Sequence, residues 1–116
     1  MLTLDRVECG AATVLRVQGE IDEDGINALR LGLMACIADR RYHVVLNLSG
    51  VVFLSYMGVG ALVERLGQLR TFNGDLKLAC LNLQGRRLLR MMGLGHVFDC
   101  YDSEASAVKQ YQQEAA

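Results

Sequence analysis

Apolar residues change period along this chain, and each change marks an element. Leu2 to Val7 alternates apolar and polar positions, as a strand with one solvated face does. Gly10-Ala11-Ala12 supplies a turn and Thr13 to Val17 a second strand, which predicts a hairpin. Ile26, Leu29, Leu33 and Ile37 then recur at helical spacing, with Asp22 or Asp24 placed to cap the positive end and Arg40-Arg41 at the negative end. Val44, Val45, Leu46 and Leu48 are nearly continuous, the pattern of a central strand covered on both faces. Val59, Leu62, Val63, Leu66 and Leu69 form one stripe of a second helix, opposed by Glu64 and Gln68. Asn73-Gly74-Asp75 predicts a turn, and Leu76, Leu78 and Cys80 a strand in which Lys77 and Ala79 alternate with them. Leu88, Leu89 and Met92 predict a third helix closed by Gly93, and Val97 to Tyr101 a short last strand. Asp102 or Ser103 caps a final helix running toward Gln113.

The order is β-β-α-β-α-β-α-β-α. Strands alternating with helices imply parallel pairs joined by right-handed crossovers, with the opening hairpin adding an antiparallel edge. The expected fold is α/β: a mixed sheet of about five strands with about four helices, in a single domain over residues 1–116. A hydrophobic fraction of 52% supports a buried core. There is no proline, and no linker, repeat or low-complexity segment breaks the pattern. A formal net charge of −1 creates no global field for nucleic acid. No apolar run approaches the roughly 20 residues of a membrane span. Met1 to Arg6 lacks the basic start and apolar stretch of a signal peptide, so the expected location is the cytoplasm. Cys9, Cys36, Cys80 and Cys100 form no Cys-x-x-Cys pair and are expected as reduced, buried, core-filling thiols.

The segment Val44 to Gly60 reads as a buried strand, a short loop and a glycine-opened helix. Ser55 is placed to cap that helix by accepting the N–H of Met57 or Gly58; Gly58 permits close backbone approach and Gly60 keeps the first turn slim. A dinucleotide fingerprint would need a third glycine at position 63, which is Val63, and a strand directly before Gly58. Asn47, polar among Val and Leu, needs hydrogen bonds and is expected to brace the loop from Ser49 to Tyr56. Glu20, Asp22, Glu23 and Asp24 form an acidic cluster before the first helix, either a docking patch or a solvated cap. Arg86, Arg87 and Arg90 read as a solvated helix face. His43 and His96 have no partners at metal-ligand spacing, so no metal or cofactor is expected. No Ser–His–Asp or Cys–His arrangement can be placed, and the chain is not expected to be an enzyme.

The residues from Val44 to Gly60, together with Gly19-Glu20-Ile21-Asp22 and Ser103-Glu104-Ala105, resemble the STAS domain, the family of bacterial anti-sigma-factor antagonists and their relatives. The family writes the loop as Asp-Ser-Ser/Ala-Gly-Leu-Gly, with the first Ser as regulatory phosphorylation site. Here Ser55 stands at the Asp position, Tyr56 at the phosphoserine position and Met57 at the next. The resemblance implies a helix end that docks against an anti-sigma factor that is also a serine kinase. Such a kinase positions a short primary hydroxyl for in-line attack, and a phenol carries its oxygen too far out. Tyr56 is also neutral at pH 7 and does not mimic phosphoserine.

The expectation is a non-enzymatic interaction module that binds an anti-sigma factor or related kinase-like protein without being switched at Tyr56. Ser55, Tyr56, Met57, Gly58 and Val59, with Glu20 and Asp22, are its expected contact residues, while Asn47 and Gly60 shape the loop. Ser55 as a substitute phosphoacceptor is the weaker alternative, since capping turns its hydroxyl toward its own helix. A different reading is a structural subunit of a stress-sensing or lipid or anion transporter assembly. A third is a small α/β enzyme or nucleotide binder. None of these needs nucleic acid or direct membrane insertion.

Overall fold

Five strands and four helices alternate along residues 1–115, the part of the chain that the computed structural model describes. They are β1 (Thr3–Cys9), β2 (Ala12–Ile21), α1 (Glu23–Ala38), β3 (His43–Leu54), α2 (Tyr56–Thr71), β4 (Asp75–Ala79), α3 (Leu83–Met91), β5 (Cys100–Tyr101) and α4 (Glu104–Glu114). The sheet order is β1-β2-β3-β4-β5, with β1 antiparallel to β2 and every other pair parallel. The expected mixed sheet and its hairpin are present.

Each face of the sheet has its own core. Leu15, Val17, Leu46, Leu48, Leu76 and Leu78 join Leu29, Leu33, Leu62, Leu66, Leu69 and Leu89 from α1, α2 and α3. On the other face Ala12, Val14, Val45 and Ala79 meet Ala107 and Tyr111 of α4. Val44, Val45 and Leu46 are therefore fully buried in succession, as a strand covered on both sides must be.

Three strand-to-helix connections are built alike. Asp22, Ser55 and Asn82 are the N-caps of α1, α2 and α3, and each side chain accepts the N–H of the glycine three residues on, Gly25, Gly58 and Gly85, at 2.9–3.0 Å. The three helices also end alike. The residue after each C-cap, Arg40, Asn73 or Gly93, takes a left-handed φ of 59°, 61° or 73°. The following N–H reaches back to Cys36, Leu69 or Leu89. These are Schellman closures, which satisfy otherwise orphaned carbonyls.

Several expectations are corrected. Arg40 and Arg41 lie beyond the end of α1, whose last turn carries no basic residue. Arg41 instead donates to Thr13 Oγ1 and to the carbonyls of Gly10 and Ala12, bracing the hairpin turn. Val63 lies on the exposed side of α2, while Ala61 and Arg65 are buried there. The last strand is only Cys100–Tyr101, because β4 offers it two partners, Leu78 and Ala79; Phe98 is buried by packing instead. Of the cysteines, Cys36 alone is buried, Cys9 and Cys80 are half-buried and Cys100 is exposed; all four are free.

Lys77 is the largest departure. Its side chain is 1% exposed beneath α4, where Nζ pairs with Asp75 and Asp99 at 3.3 Å and with Glu114 at 3.1 Å. It also sits 4.6 Å from the centre of the Tyr111 ring. Burial opposes its charge, but the surrounding carboxylates outweigh burial and raise its pKa above the ordinary lysine value. Tyr111, whose hydroxyl donates toward the carbonyls of Val44 and Asp75 at 2.8 Å, closes the cluster.

Candidate functional site

β3 does not stop where its continuous apolar run stops. It continues to Leu54, seven residues past the last rung to β4 at Asn47–Ala79 on the α3 side. The extension pairs with the end of β2 through Gly50, Val51, Phe53 and Leu54, with a register shift at Gly19/Glu20. The expected loop thus shrinks to Ser55, whose N–H donates to Ile21 O at 2.8 Å.

On its other side the extension is held by side chains of the α3 start. Gln84 accepts the Leu54 N–H at 3.0 Å and returns its amide to Leu54 O at 2.8 Å, imitating a strand partner. Asn82 Nδ2 donates to Val51 O at 3.3 Å. The starts of α1, α2 and α3 consequently gather at one end of the sheet, beside the projecting tip of β3.

This end carries the expected contact residues, and it sorts them. Ser55 is half-buried and occupied as the α2 cap, its Oγ accepting the Gly58 N–H at 3.0 Å. Tyr56 and Met57 stand out from the first turn, 70% and 54% exposed. Gly58 is buried: a Cβ there would come within 2.6 Å of Ile21 Cγ2. Val59 is fully buried and lends its side chain to the core, not to the surface. Glu20 is exposed, whereas Asp22 is half-buried as the cap of α1. Gly60 is exposed and a Cβ there would meet nothing within 4 Å, so closeness at this turn rests on Gly58 and not on Gly60.

Three further apolar residues belong to this surface and escaped the sequence reading. Val52 and Phe53 on the β3 tip are 67% and 42% exposed, and Leu83, the first residue of α3, is 60% exposed. A signal for the α3 start was present: Asn82-Leu83-Gln84-Gly85 repeats the cap-x-x-Gly spacing of Ser55-Tyr56-Met57-Gly58. Exposed Glu20 on β2 pairs with Phe53 across the sheet, and Glu23 and Asp24 are exposed in the first turn of α1.

Asn47 reaches the segment it was expected to brace only at its first residue, Ser49, and it also ties β3 to α4. Its Oδ1 accepts the Ser49 N–H at 3.0 Å, and its Nδ2 donates to Glu104 Oε1 at 3.0 Å. Glu104 also receives Nε and Nη2 of Arg16, at 2.9 and 3.0 Å. The Arg16 hydrogen bond foremost, opposed by burial and helped by Asn47, holds the Glu104 carboxyl below the ordinary carboxylate range. Among the described residues no group of three His, Cys, Asp or Glu could hold a metal ion, and no helix is long and apolar enough to cross a membrane. The geometry offers apolar contact and helix-end polarity at one end of the sheet.

Comparison with known proteins agrees in fold and in type. The sequence matches the STAS domain over residues 3–107. An anti-sigma F factor antagonist of Paenibacillus polymyxa is 27% identical over 100 residues, covering 85% of this chain and 86% of that protein. The crystal structure of an anti-sigma factor antagonist from Mycobacterium paratuberculosis superposes with a TM-score of 0.85 at 26% identity, over 95% of this chain and 93% of that one. The anti-sigma factor antagonist SpoIIAA in its unphosphorylated form superposes with a TM-score of 0.83 at 19% identity, over 96% and 97% of the two chains, a likeness of fold.

Proposed function

This chain belongs to the STAS domain family, and we propose that it works in the cytoplasm as an unswitched anti-sigma-factor antagonist, by binding and not by catalysis. The partner is an anti-sigma factor, as the names of the antagonist relatives suggest, of the serine-kinase type that the resemblance implies. The carrying observation is that Tyr56 and Met57 project from the first turn of α2 beside exposed Val52, Phe53 and Leu83. Aromatic and methionine side chains are the kind that anchor interface cores. Their neighbours Ser55, Gly58 and Val59 support the turn from beneath, and Glu20 marks the acidic rim.

The position expected for the phosphoacceptor carries a phenol in Tyr56, and the Ser55 hydroxyl is committed to its own helix. Competition for the partner, set by the amount of this protein, then replaces phosphorylation as the control. Burying the Tyr56 and Met57 side chains supplies the free energy, and the acidic rim steers a basic partner surface.

Affinity capture from the native cytosol, with and without ATP, tests the reading. The expected result is a kinase-type anti-sigma factor and an unmodified Ser55–Met57 peptide in both samples. Tyr56→Ala and Met57→Ala should each weaken the recovered pair by about tenfold or more while leaving the melting temperature unchanged. Stoichiometric phosphate on Tyr56 or Ser55 would end the unswitched proposal. A transporter or sensor complex recovered at fixed stoichiometry would make the chain a structural subunit.

A further inference from the structure

α3 turns a row of large side chains toward solvent. Gly85 and Leu89 form its buried side. Leu83, Arg87 and Met91, spaced four residues apart, share the opposite side. Leu83 is 60% exposed and Met91 83%. Half-buried Gln84 and Leu88 flank the row, and the five residues line a shallow trough of about 470 Å³. The trough continues the surface around Tyr56. Gln84 holds both the N–H and the carbonyl of Leu54, and Asn82 reaches Val51 O. Leu83, between them, therefore stands beside the β3 tip that carries Val52 and Phe53.

Arg87 is the one charged residue of the trough. It is exposed and has no ion-pair or hydrogen-bond partner among the described residues. Arg86, by contrast, pairs with Asp102 at 3.2 Å and donates to Leu81 O at 3.1 Å. No Asp or Glu occurs from Asn82 to Met92. Whatever covers Leu83 and Met91 also strips water from the guanidinium between them, which is costly unless a carboxylate replaces that water. The occupant therefore carries an acidic group flanked by apolar ones. It must also satisfy its own backbone. The β3 edge at Leu54 is already taken by Gln84, so an extended segment would bury N–H groups without partners. A helix brings its hydrogen bonds with it, and about two turns match the roughly 12 Å from Leu83 to Met91. An anionic lipid surface fits less well, because Glu20, Glu23 and Asp24 are exposed at the end of the sheet where α3 begins.

We propose that the anti-sigma factor docked on Tyr56 and Met57 also lays an amphipathic helix along α3, with apolar side chains on Leu83 and Met91 and an Asp or Glu carboxylate on Arg87. This α3 contact rests on the reading that Tyr56 and Met57 dock that partner, and it extends the same surface by about two helical turns. Arginine takes a carboxylate through two parallel N–H donations, so the pair sets the register of the helix as well as holding it.

Calorimetric titration of the full chain with the purified anti-sigma factor tests this. Arg87→Glu and Met91→Ser should each weaken binding by about tenfold or more, with the melting temperature unchanged. A photocrosslinker in place of Met91 should join a segment of the partner that carries an Asp or Glu about one helical turn away. Reversing that acidic residue to Arg should restore the affinity lost by Arg87→Glu to within about threefold of wild type. Undiminished binding by Arg87→Glu and Met91→Ser, with Tyr56→Ala weakened, would overturn the α3 contact and leave the docking reading standing. No binding by the wild-type chain would overturn both. Mixed phosphatidylglycerol and phosphatidylcholine vesicles bound through Met91, or a dimer of this chain broken by Met91→Ser, would give the row another occupant and overturn the assignment.

Discussion

Gly58 and Gly60 lie two residues apart in one helix, and alanine should act on them with opposite sign. An alanine Cβ at Gly58 would stand 2.6 Å from Ile21 Cγ2, 3.1 Å from Ile21 O and 3.2 Å from Leu54 Cδ1. Resting carbon contacts lie at about 3.5–4.0 Å, so the Ile21 methyl would have to yield by about 1 Å. It has little room: Ile21 is β-branched, fully buried, and its carbonyl accepts the Ser55 N–H. Such overpacking costs about 1–3 kcal/mol. The better helix propensity of alanine returns up to about 1 kcal/mol, leaving a net loss of up to about 2 kcal/mol. Gly60 is exposed with open space above it, so Gly60→Ala keeps only the gain, about 0.5–1 kcal/mol. The two variants should differ by the overpacking cost alone, about 1–3 kcal/mol, or about 4–12 °C in melting temperature at roughly 4 °C per kcal/mol for a chain of this size. Urea unfolding followed by circular dichroism reads both, with slopes equal to wild type. A Gly58→Ala variant as stable as Gly60→Ala, or a destabilised Gly60→Ala, would refute the packing argument for this turn.

Three other perturbations probe the scaffold. Arg40→Gly should raise stability by about 0.5–1 kcal/mol, because Arg40 holds a left-handed φ of 59° that glycine adopts without strain; thermal melts decide it. Lys77→Ala should cost about 3 kcal/mol, the low end for breaking a buried pair, since Asp99 and Glu114 can turn to water while Asp75 is left behind; chemical unfolding reads the loss. Glu104 has a folded pKa below its unfolded value of about 4.3. Its contribution is therefore present above that value and lost as pH falls through the folded one. Glu104→Gln should be less stable than wild type at pH 7, with the gap closing on acidification below about pH 4; a gap that is constant with pH would rule out the ionised Arg16–Glu104 contact.

The local sequence was sufficient for most of the architecture. Alternation in β1, the continuous run at Val44–Leu46 and the helical stripes of α1 and α2 each depend on neighbours a few residues away. So do the Ser55 cap and the Asn73 and Gly93 closures, whose hydrogen bonds span three to five residues. What escaped was whatever depends on a surface from elsewhere in the chain. Leu76-Lys77-Leu78 has the period of a half-solvated strand, and only α4 folding over that face makes Lys77 a buried cation with carboxylates drawn from Asp75, Asp99 and Glu114. Ser49 to Leu54 reads as a loop because it carries Ser49 and Gly50. It becomes strand because β2 and the Gln84 side chain, thirty residues on, satisfy its backbone. The candidate site divides in the same way. Sequence determined that a capped, glycine-opened helix begins after Ser55, since capping and glycine permissiveness act within one turn. Tertiary structure decided that Tyr56 and Met57 face solvent while Gly58 and Val59 do not, that Gly58 rather than Gly60 is the packed glycine, and that Val52, Phe53 and Leu83 share their surface. Exposure is a property of the assembled neighbours, and hydrophobic periodicity records only how often a residue turns inward, not what meets it there.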